Sequence, residues 1–323
     1  MPTTDRRVGD RIEAARPCPL TGSREAEVLA TLDRHGQPLR NIISVASGII
    51  YVDPLPVEDL AAFYRQDYRL AYKGSFVPKR KHILRAGRVS LSRHAHSGEI
   101  ARAGMRTLDI GAGGGENVYL MNRLGCDAYG IEPNLGYGGF SRENYGVEVF
   151  LGMYQDAEFE PGSFDLVSLY QVLEHLADPV EDLRRMSRFL KNGGLFLIEV
   201  PDMLFAGMRF ENKWHSGHLF GFDALTLEAV AAKAGLRKRF IKVMPGNLYG
   251  VFEKSGEESL PGPDLAGHFG RAKDAILAGR RRYWTMSGTY TKLPRRLAER
   301  LRESWVASRE PSPRALLDRI YPE

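Results

Sequence analysis

Between residues 106 and 254 the chain alternates short apolar, often β-branched runs with stretches whose apolar positions recur every three or four residues. That alternation predicts stacked βαβ units around a mostly parallel sheet. Residues 107–110 form the first predicted strand, 111–115 a glycine turn, and 116–124 a helix that Gly125 ends. Further strands are predicted at 128–132, 147–151 and 164–170, with a helix within 135–144 between the first two; 164–170 is a continuous apolar run of the doubly buried kind. The best marked helix follows. Asp178 caps it, Pro179 takes its first position, and Glu181 falls where a capping box places a carboxylate. Val180, Leu183, Met186 and Leu190 form its apolar stripe, and Asn192, Gly193 and Gly194 are expected to stop it. A fifth strand is predicted at 195–200, and Asp223 caps a helix that runs to Gly235. The segments 240–244 and 248–252, joined by Pro245, Gly246 and Asn247, suit an antiparallel pair at one sheet edge.

Outside this region the pattern weakens. Leu60, Phe63 and Tyr64 suggest a short amphipathic helix, and the basic, aromatic stretch 68–96 reads as a cap or lid. Residues 255–263 have the Gly, Ser, Glu and Pro content of a linker, and basic helical segments run from there to the end. The expected organisation is an N-terminal segment at 1–55, a helical cap or lid at 56–100, the α/β core domain at 101–255 and a basic helical extension at 256–323. With 43% hydrophobic and 26% charged residues in 323, the composition is that of a globular protein. The absence of any apolar run of roughly 18 residues, together with a polar N-terminus, predicts a cytoplasmic protein without a membrane span or secretory signal. Cys18 and Cys126, the only cysteines, neither build a disulfide scaffold nor fill a four-thiolate zinc site. The net charge of +5 is small for this length. The runs at Arg280, Arg281 and Arg282, at Arg295 and Arg296, and at Arg300 and Arg302 are interspersed with Asp274, Glu299 and Glu303. A solvated helical face is the preferred reading over a phosphate-binding patch, and nucleic acid is not the expected partner.

The glycine turn carries chemistry. Glycines after a first strand let backbone N–H groups and a helix N-terminus approach a ligand closely. A dinucleotide fingerprint would need glycine three positions after Gly113, where Glu116 stands and would repel a pyrophosphate. A carboxylate is acceptable beside a sulfonium and an ammonium, so Asp109 with Gly111, Gly113 and Gly115 fits S-adenosylmethionine better than NAD. Glu132, about 20 residues on at the end of the second predicted strand, can accept hydrogen bonds from both ribose hydroxyls.

Three motifs together, Leu108-Asp109-Ile110-Gly111-Ala112-Gly113-Gly114-Gly115, Gly130-Ile131-Glu132-Pro133-Asn134 and Phe164-Asp165-Leu166-Val167, resemble the successive motifs of class I S-adenosylmethionine-dependent methyltransferases. The similarity continues through Leu173-Glu174-His175-Leu176-Ala177-Asp178-Pro179, Leu190-Lys191-Asn192-Gly193-Gly194 and His218-Leu219-Phe220-Gly221-Phe222. The resemblance implies a Rossmann-like α/β fold with a mostly parallel seven-stranded sheet, an antiparallel edge strand and small N-terminal and helical C-terminal extensions. It also implies S-adenosyl-L-methionine as cofactor, adenine contacts from Met153, Tyr154, Gln155 or Asp156, and a methionine end lined by Tyr170 and Gln171.

Methyl transfer from a sulfonium is an in-line displacement that relies on alignment and exclusion of water. An alcohol or phenol acceptor must also lose a proton, and His175, His215 and His218 follow the fourth and fifth predicted strands, on the ligand side of such sheets. A structural role for His175, bonding the loop backbone before Asp178, competes with catalysis. Some relatives, similar to quinone-biosynthesis and small-RNA methyltransferases, hold a divalent cation with Glu-x-x-Glu-His. Gln171 replaces the first glutamate here, leaving Glu174, His175 and His218, and no metal is expected. Many related bacterial enzymes begin with a zinc ribbon; Cys18, Thr21, Ser44 and Ser47 keep its two-pair spacing with one thiol, which predicts a metal-free vestige. The expected reaction is methylation, preferably of oxygen, of a small-molecule or glycan-type acceptor. An RNA methyltransferase using the basic tail and a non-catalytic cofactor-binding module are the alternatives.

Overall fold

The computed structural model describes residues 7–56 and 77–321. Leu60, Phe63 and Tyr64, with the short helix expected there, lie outside the described residues. Its contacts fall into two compact units. One takes Met1–Glu58, Gln171–Arg185 and Ile198–Tyr290, the other Asp59–Tyr170, Met186–Leu197 and Thr291–Glu323. The units therefore cut across the consecutive segments expected from composition.

In the second unit, helix α1 (Arg80–Ser97) buries Ile83 and Leu84 and ends at Gly98, whose φ of +80° reverses the chain. Strand β5 (Arg106–Ile110) follows, then α2 (Glu116–Arg123), β6 (Asp127–Glu132), α3 (Leu135–Tyr145), β7 (Glu148–Leu151) and β8 (Phe164–Tyr170). Strand β5 pairs in parallel with β6 on one side and β8 on the other, setting Asp109 opposite Gly130 and Ser168. Leu108, Ile110, Val167 and Leu169 are each at most 3% exposed, the double-sided burial expected of central parallel strands. Asn134 caps α3 by accepting from Tyr137 N.

The same unit contains the end of the chain. Helix α7 (Ser287–Arg309) precedes α8 (Pro313–Asp318), whose Leu316 and Leu317 are fully buried. Gly87 on α1 makes room for them, since a Cβ there would lie 2.7 Å from Leu317 and Ile320. Tyr321 donates to the carbonyl of Glu116 at 2.8 Å, and Tyr119 donates to Asp318 at 2.5 Å. The basic extension is thus helical as expected, and its last turn braces the helix that opens at the glycine loop.

The first unit holds an antiparallel sheet that the sequence pattern did not announce. Its strands are β1 (Arg11–Glu13), β2 (Glu25–Leu32), β3 (Pro38–Ser44), β4 (Ile50–Val52) and β10 (Phe220–Gly221), in that order. Asp33 shapes the β2–β3 turn by accepting from His35 N and Gln37 N, both at 2.8 Å. Two further turns are built alike: Gly22 N donates to Cys18 O and Gly48 N to Ser44 O, both at 2.8 Å, with φ of +75° and +77° at the glycines. They fall at the two pairs of positions, Cys18 with Thr21 and Ser44 with Ser47, that keep the ribbon spacing. Between them Cys18 and Ser47 share a hydrogen bond of 3.2 Å. Burial pushes the Cys18 thiol up, but hydrogen bonds from Ser47, Thr21 and Ser44 outweigh it and hold the pKa below the ordinary thiol value.

The first unit also contains α4 (Pro179–Ser187), α5 (Ala224–Lys233), β11 (Leu236–Met244), β12 (Asn247–Lys254) and α6 (His268–Arg282), apart from the last residues of α4. Asp223 closes a full capping box on α5 with Thr226. With β9 (Leu190–Pro201), seven strands hydrogen-bond in the order β11-β12-β9-β8-β5-β6-β7, and β11 pairs antiparallel with β12 at the edge. This is the Rossmann-like sheet of the sequence reading.

Two local expectations are corrected. Helix α4 ends at Ser187, and Leu190, Asn192, Gly193 and Gly194 belong to β9 instead of finishing the helix. Backbone pairing overrides the turn signal: Arg188 O accepts from Gly162 N at 2.8 Å and Phe189 O from Phe164 N at 3.0 Å. Asp178 does cap α4, accepting from Glu181 N at 3.0 Å. Asp178 N donates to the Asp182 carboxylate at 3.4 Å and not to Glu181, whose carboxylate accepts from Arg184 and Arg185.

Candidate active site

The residues singled out in the sequence gather in two clusters, one in each unit. In the second unit β5 runs straight into the glycine loop, where Gly111, Gly113 and Gly115 have φ of +79°, +58° and +82°. Only glycine holds such angles without strain. Gly111 N and Ala112 N both donate to Ile131 O, at 2.8 and 2.9 Å, which ties the loop to β6. Glu132, 2% exposed at the end of β6, accepts from Gly113 N at 2.7 Å and from Asn134 N at 3.0 Å. These two bonds fix the orientation of its carboxylate at the mouth of the loop.

Asp109 ends up behind the loop, 6% exposed, accepting from Ser168 Oγ at 2.5 Å. Burial raises its pKa to about 6, against the opposing hydrogen bond from Ser168 and the charge of Arg93. The guanidinium of Arg93 lies 4.3 Å over the ring of Tyr170, at the end of β8. Gln155 and Asp156 are exposed on a single turn after β7, whose first residue, Tyr154, is buried.

The residues fit S-adenosylmethionine and not a dinucleotide. Glu116 folds back over the loop: a Cβ on Gly114 would meet its carboxylate at 2.6 Å, so an anion already stands at this helix N-terminus. A diol hydrogen-bonded to Glu132 and a cationic sulfonium suit a loop flanked by Asp109, Glu116 and Glu132; a pyrophosphate does not.

The second cluster lies in the first unit. Gln171 takes φ of +59°, one of two non-glycine residues with positive φ among those described. Its N–H donates to Glu199 O at 2.8 Å and its carboxamide to Glu199 Oε1 at 3.0 Å, which holds the unusual backbone angle in place. The chain then makes the short turn Leu173–His175. Leu219 N donates to Glu174 O at 2.7 Å, bringing the segment of His215 and His218 alongside.

All three predicted histidines meet there. His175 and His218 are edge to face with ring centroids 4.9 Å apart, and His215 stacks on His218 at 4.6 Å. His175 Nδ1 donates to Gly217 O at 2.6 Å in the tautomer that leaves Nε2 as an acceptor, 3.8 Å from Glu174 Oε1. His215 Nδ1 accepts from Gly217 N at 2.8 Å. Desolvation lowers the pKa of His215 to about 4 and that of His218 well below the usual histidine value. Both are neutral at pH 7. His175 and His215 are buried, while His218 is half-exposed. Ligand atoms of Glu174, His175 and His218 lie within 4.8 Å of one another, close enough to hold a cation.

Gln171, expected at the methionine end of the cofactor, falls in the same unit as the histidines. Sequence reasoning also missed Ser168, Glu199 and the Gly217 carbonyl. Ser168 alone had a signal, as a polar residue inside an apolar strand; the other two enter only through tertiary contact.

The parallel sheet, the glycine loop and the acid closing β6 define a class I methyltransferase domain. Residues 81–239 match the family model of a methyltransferase domain. A ubiquinone biosynthesis O-methyltransferase of a Ruegeria species is 36% identical over 135 residues, covering 38% of this chain and 54% of that protein. One from Pseudomonas aeruginosa is 37% identical over 98 residues, covering 28% and 42%. The chain spans about half the length of the curated relatives it matches. Among solved structures, a Burkholderia thailandensis 1,6-didemethyltoxoflavin-N1-methyltransferase is 19% identical, with a TM-score of 0.47 over 66% of this chain and 97% of that one. Residues 81–239 are thus a methyltransferase domain of the class I S-adenosylmethionine-dependent kind, with S-adenosylmethionine as its cofactor.

Proposed function

We propose that the protein transfers the methyl group of S-adenosylmethionine to a hydroxyl of a small-molecule or glycan-type acceptor. The carrying observation is the meeting of His175, His215 and His218 around one half-exposed, neutral imidazole, that of His218. When bound, S-adenosylmethionine supplies an electrophilic methyl carbon on a cationic sulfur. Glu132 and the Gly111–Gly115 turn hold the nucleoside; Asp109 supports the loop from behind, and Tyr170 with Gln171 lines the methionine end. Gln155 or Asp156 contacts the adenine. His218 takes the acceptor proton, while the packed rings of His175 and His215 fix its orientation. A positioned base of this kind contributes typically about 10² to 10⁴-fold. That the curated relatives are named as O-methyltransferases supports oxygen as the acceptor atom.

A second reading is favoured by the convergence of Glu174, His175 and His218. One carboxylate and two imidazoles form a donor set that suits a transition-metal dication and would lower the pKa of a bound hydroxyl. The two readings separate on titration with manganese or zinc after chelation: activity that returns with metal supports the second, activity indifferent to chelator the first.

Labelled donor methyl groups incubated with metabolite extracts test the assignment. A labelled product formed by the protein and absent with Glu132→Ala identifies reaction and acceptor together. Label appearing only in RNA would replace the small-molecule reading with the RNA one. Donor binding without any labelled product across a broad acceptor panel would leave a binding module.

A further inference from the structure

Over residues 298–309, helix α7 has two unlike faces. On one, Glu303, Val306 and Ala307 are 8%, 8% and 3% exposed, and Arg85 Nε donates to Glu303 at 3.2 Å. That face is packed within the second unit. On the other, Leu301 is 65% exposed and Trp305 55% exposed, one helical turn apart. Arg300, Arg302 and Arg309 are exposed around them, and the Arg309 guanidinium lies 3.8 Å over the Trp305 ring. Single exposed apolar side chains are ordinary. Two large ones in register on one helical stripe, bordered by cations, are a surface with a defined chemistry.

We propose that this face docks the protein on an anionic lipid surface. Leu301 and Trp305 enter the boundary between headgroups and acyl chains, and Arg300, Arg302 and Arg309 meet lipid phosphates. The leucine separates this from a nucleic-acid face, because an aliphatic side chain neither stacks on a base nor bonds a phosphate and gains only by entering an apolar medium. Indole favours the polar-apolar boundary, and arginine stems lie along apolar surface while their heads stay hydrated. Ser304 and Ser308, both exposed, add no carboxylate to the stripe that would repel phosphates. Two apolar anchors with a few cations give reversible attachment, comparable to a single acyl chain, rather than insertion. Among the described residues no helix is long and apolar enough to cross a membrane, which is a separate matter from lying on one.

The test is co-sedimentation of the full chain with vesicles of phosphatidylcholine alone and of phosphatidylcholine mixed with phosphatidylglycerol. Binding is expected only to the mixed vesicles. The double variant Leu301→Ser with Trp305→Ser is expected to lose about tenfold in partitioning, and Arg300→Gln with Arg302→Gln a similar amount at low salt. All four positions are exposed, so unfolding transitions should stay within a few degrees of the parent and confirm intact folding. No binding to anionic vesicles overturns the proposal, as does binding unchanged in the serine variant. Retention of a single-stranded oligonucleotide with no vesicle binding would assign the face to nucleic acid instead. Self-association abolished by the serine variant, again without vesicle binding, would assign it to a second copy of the chain.

Discussion

The donor cluster and the histidine cluster are assembled in opposite ways. Around the glycine loop the acid that orients the turn is close in sequence, Glu132 sitting 19 residues from the Gly113 N–H it accepts, and only the brace from Ser168 to Asp109 comes from farther away. The histidine cluster joins residues 42 apart through a carbonyl, His175 to Gly217, and depends on a non-glycine residue held at positive φ by a strand. The first cluster is built on one strand–turn–helix unit; the second needs two distant segments brought together by backbone bonds and packed rings. Damage to the first should therefore appear as lost cofactor affinity, and damage to the second as lost turnover with the cofactor still bound.

The strongest break in that contrast is His218→Ala. Label transfer is expected to fall by about 10² to 10⁴-fold, while calorimetric affinity for S-adenosylhomocysteine stays within about twofold. Equal loss of both would mean that the histidines support the cofactor site. Next comes Glu132→Ala, which removes the acceptor of two backbone N–H groups and, in the proposed site, of the ribose hydroxyls. Affinity for S-adenosylhomocysteine should drop by about 100-fold, equivalent to roughly 2 to 3 kcal/mol.

Asp109 sharpens the comparison by pH. Its folded pKa of about 6 is above the ordinary aspartate value, so the folded state binds the extra proton between about pH 4 and pH 6. Stability is then lost as pH rises through that window, and Asp109→Asn should remove the loss. At pH 7.5 the variant is expected to be more stable by up to about 3 kcal/mol in chemical denaturation, with the gain vanishing near pH 4. A variant less stable at pH 7.5 would show that the ionised carboxylate is needed by the fold. The smallest effect is expected from Asp178→Ala. Losing the cap of α4 should cost about 1 kcal/mol and lower turnover only slightly, because contacts on both sides hold the Leu173–His175 turn.

The same contrast explains what was legible in the sequence. Strand, glycine turn, helix and terminal acid are written consecutively, so Asp109, Gly111, Gly113 and Glu132 could be placed by local rules. The histidines were found by chemistry and position, but their mutual contact follows from Leu219 N meeting Glu174 O, which no local pattern encodes. Strand β10 is two residues long and pairs Phe220 with Tyr51, across 169 positions, so its place in the N-terminal sheet had no periodicity to betray it. At Asn192, Gly193 and Gly194 a strong turn signal was present and tertiary pairing overruled it.

Gln171 has a consequence for how the chain tolerates change. Because its backbone angle is held by the bonds it donates to Glu199, position 171 should accept glycine, and asparagine with some loss, yet reject valine, isoleucine and threonine, whose branched Cβ makes positive φ costly. A saturation library read out by cofactor-independent folding would show a narrow tolerance there despite partial exposure. Replacing Glu199 first should widen the penalty to glutamine itself, so the order in which two substitutions arrive would decide whether either survives.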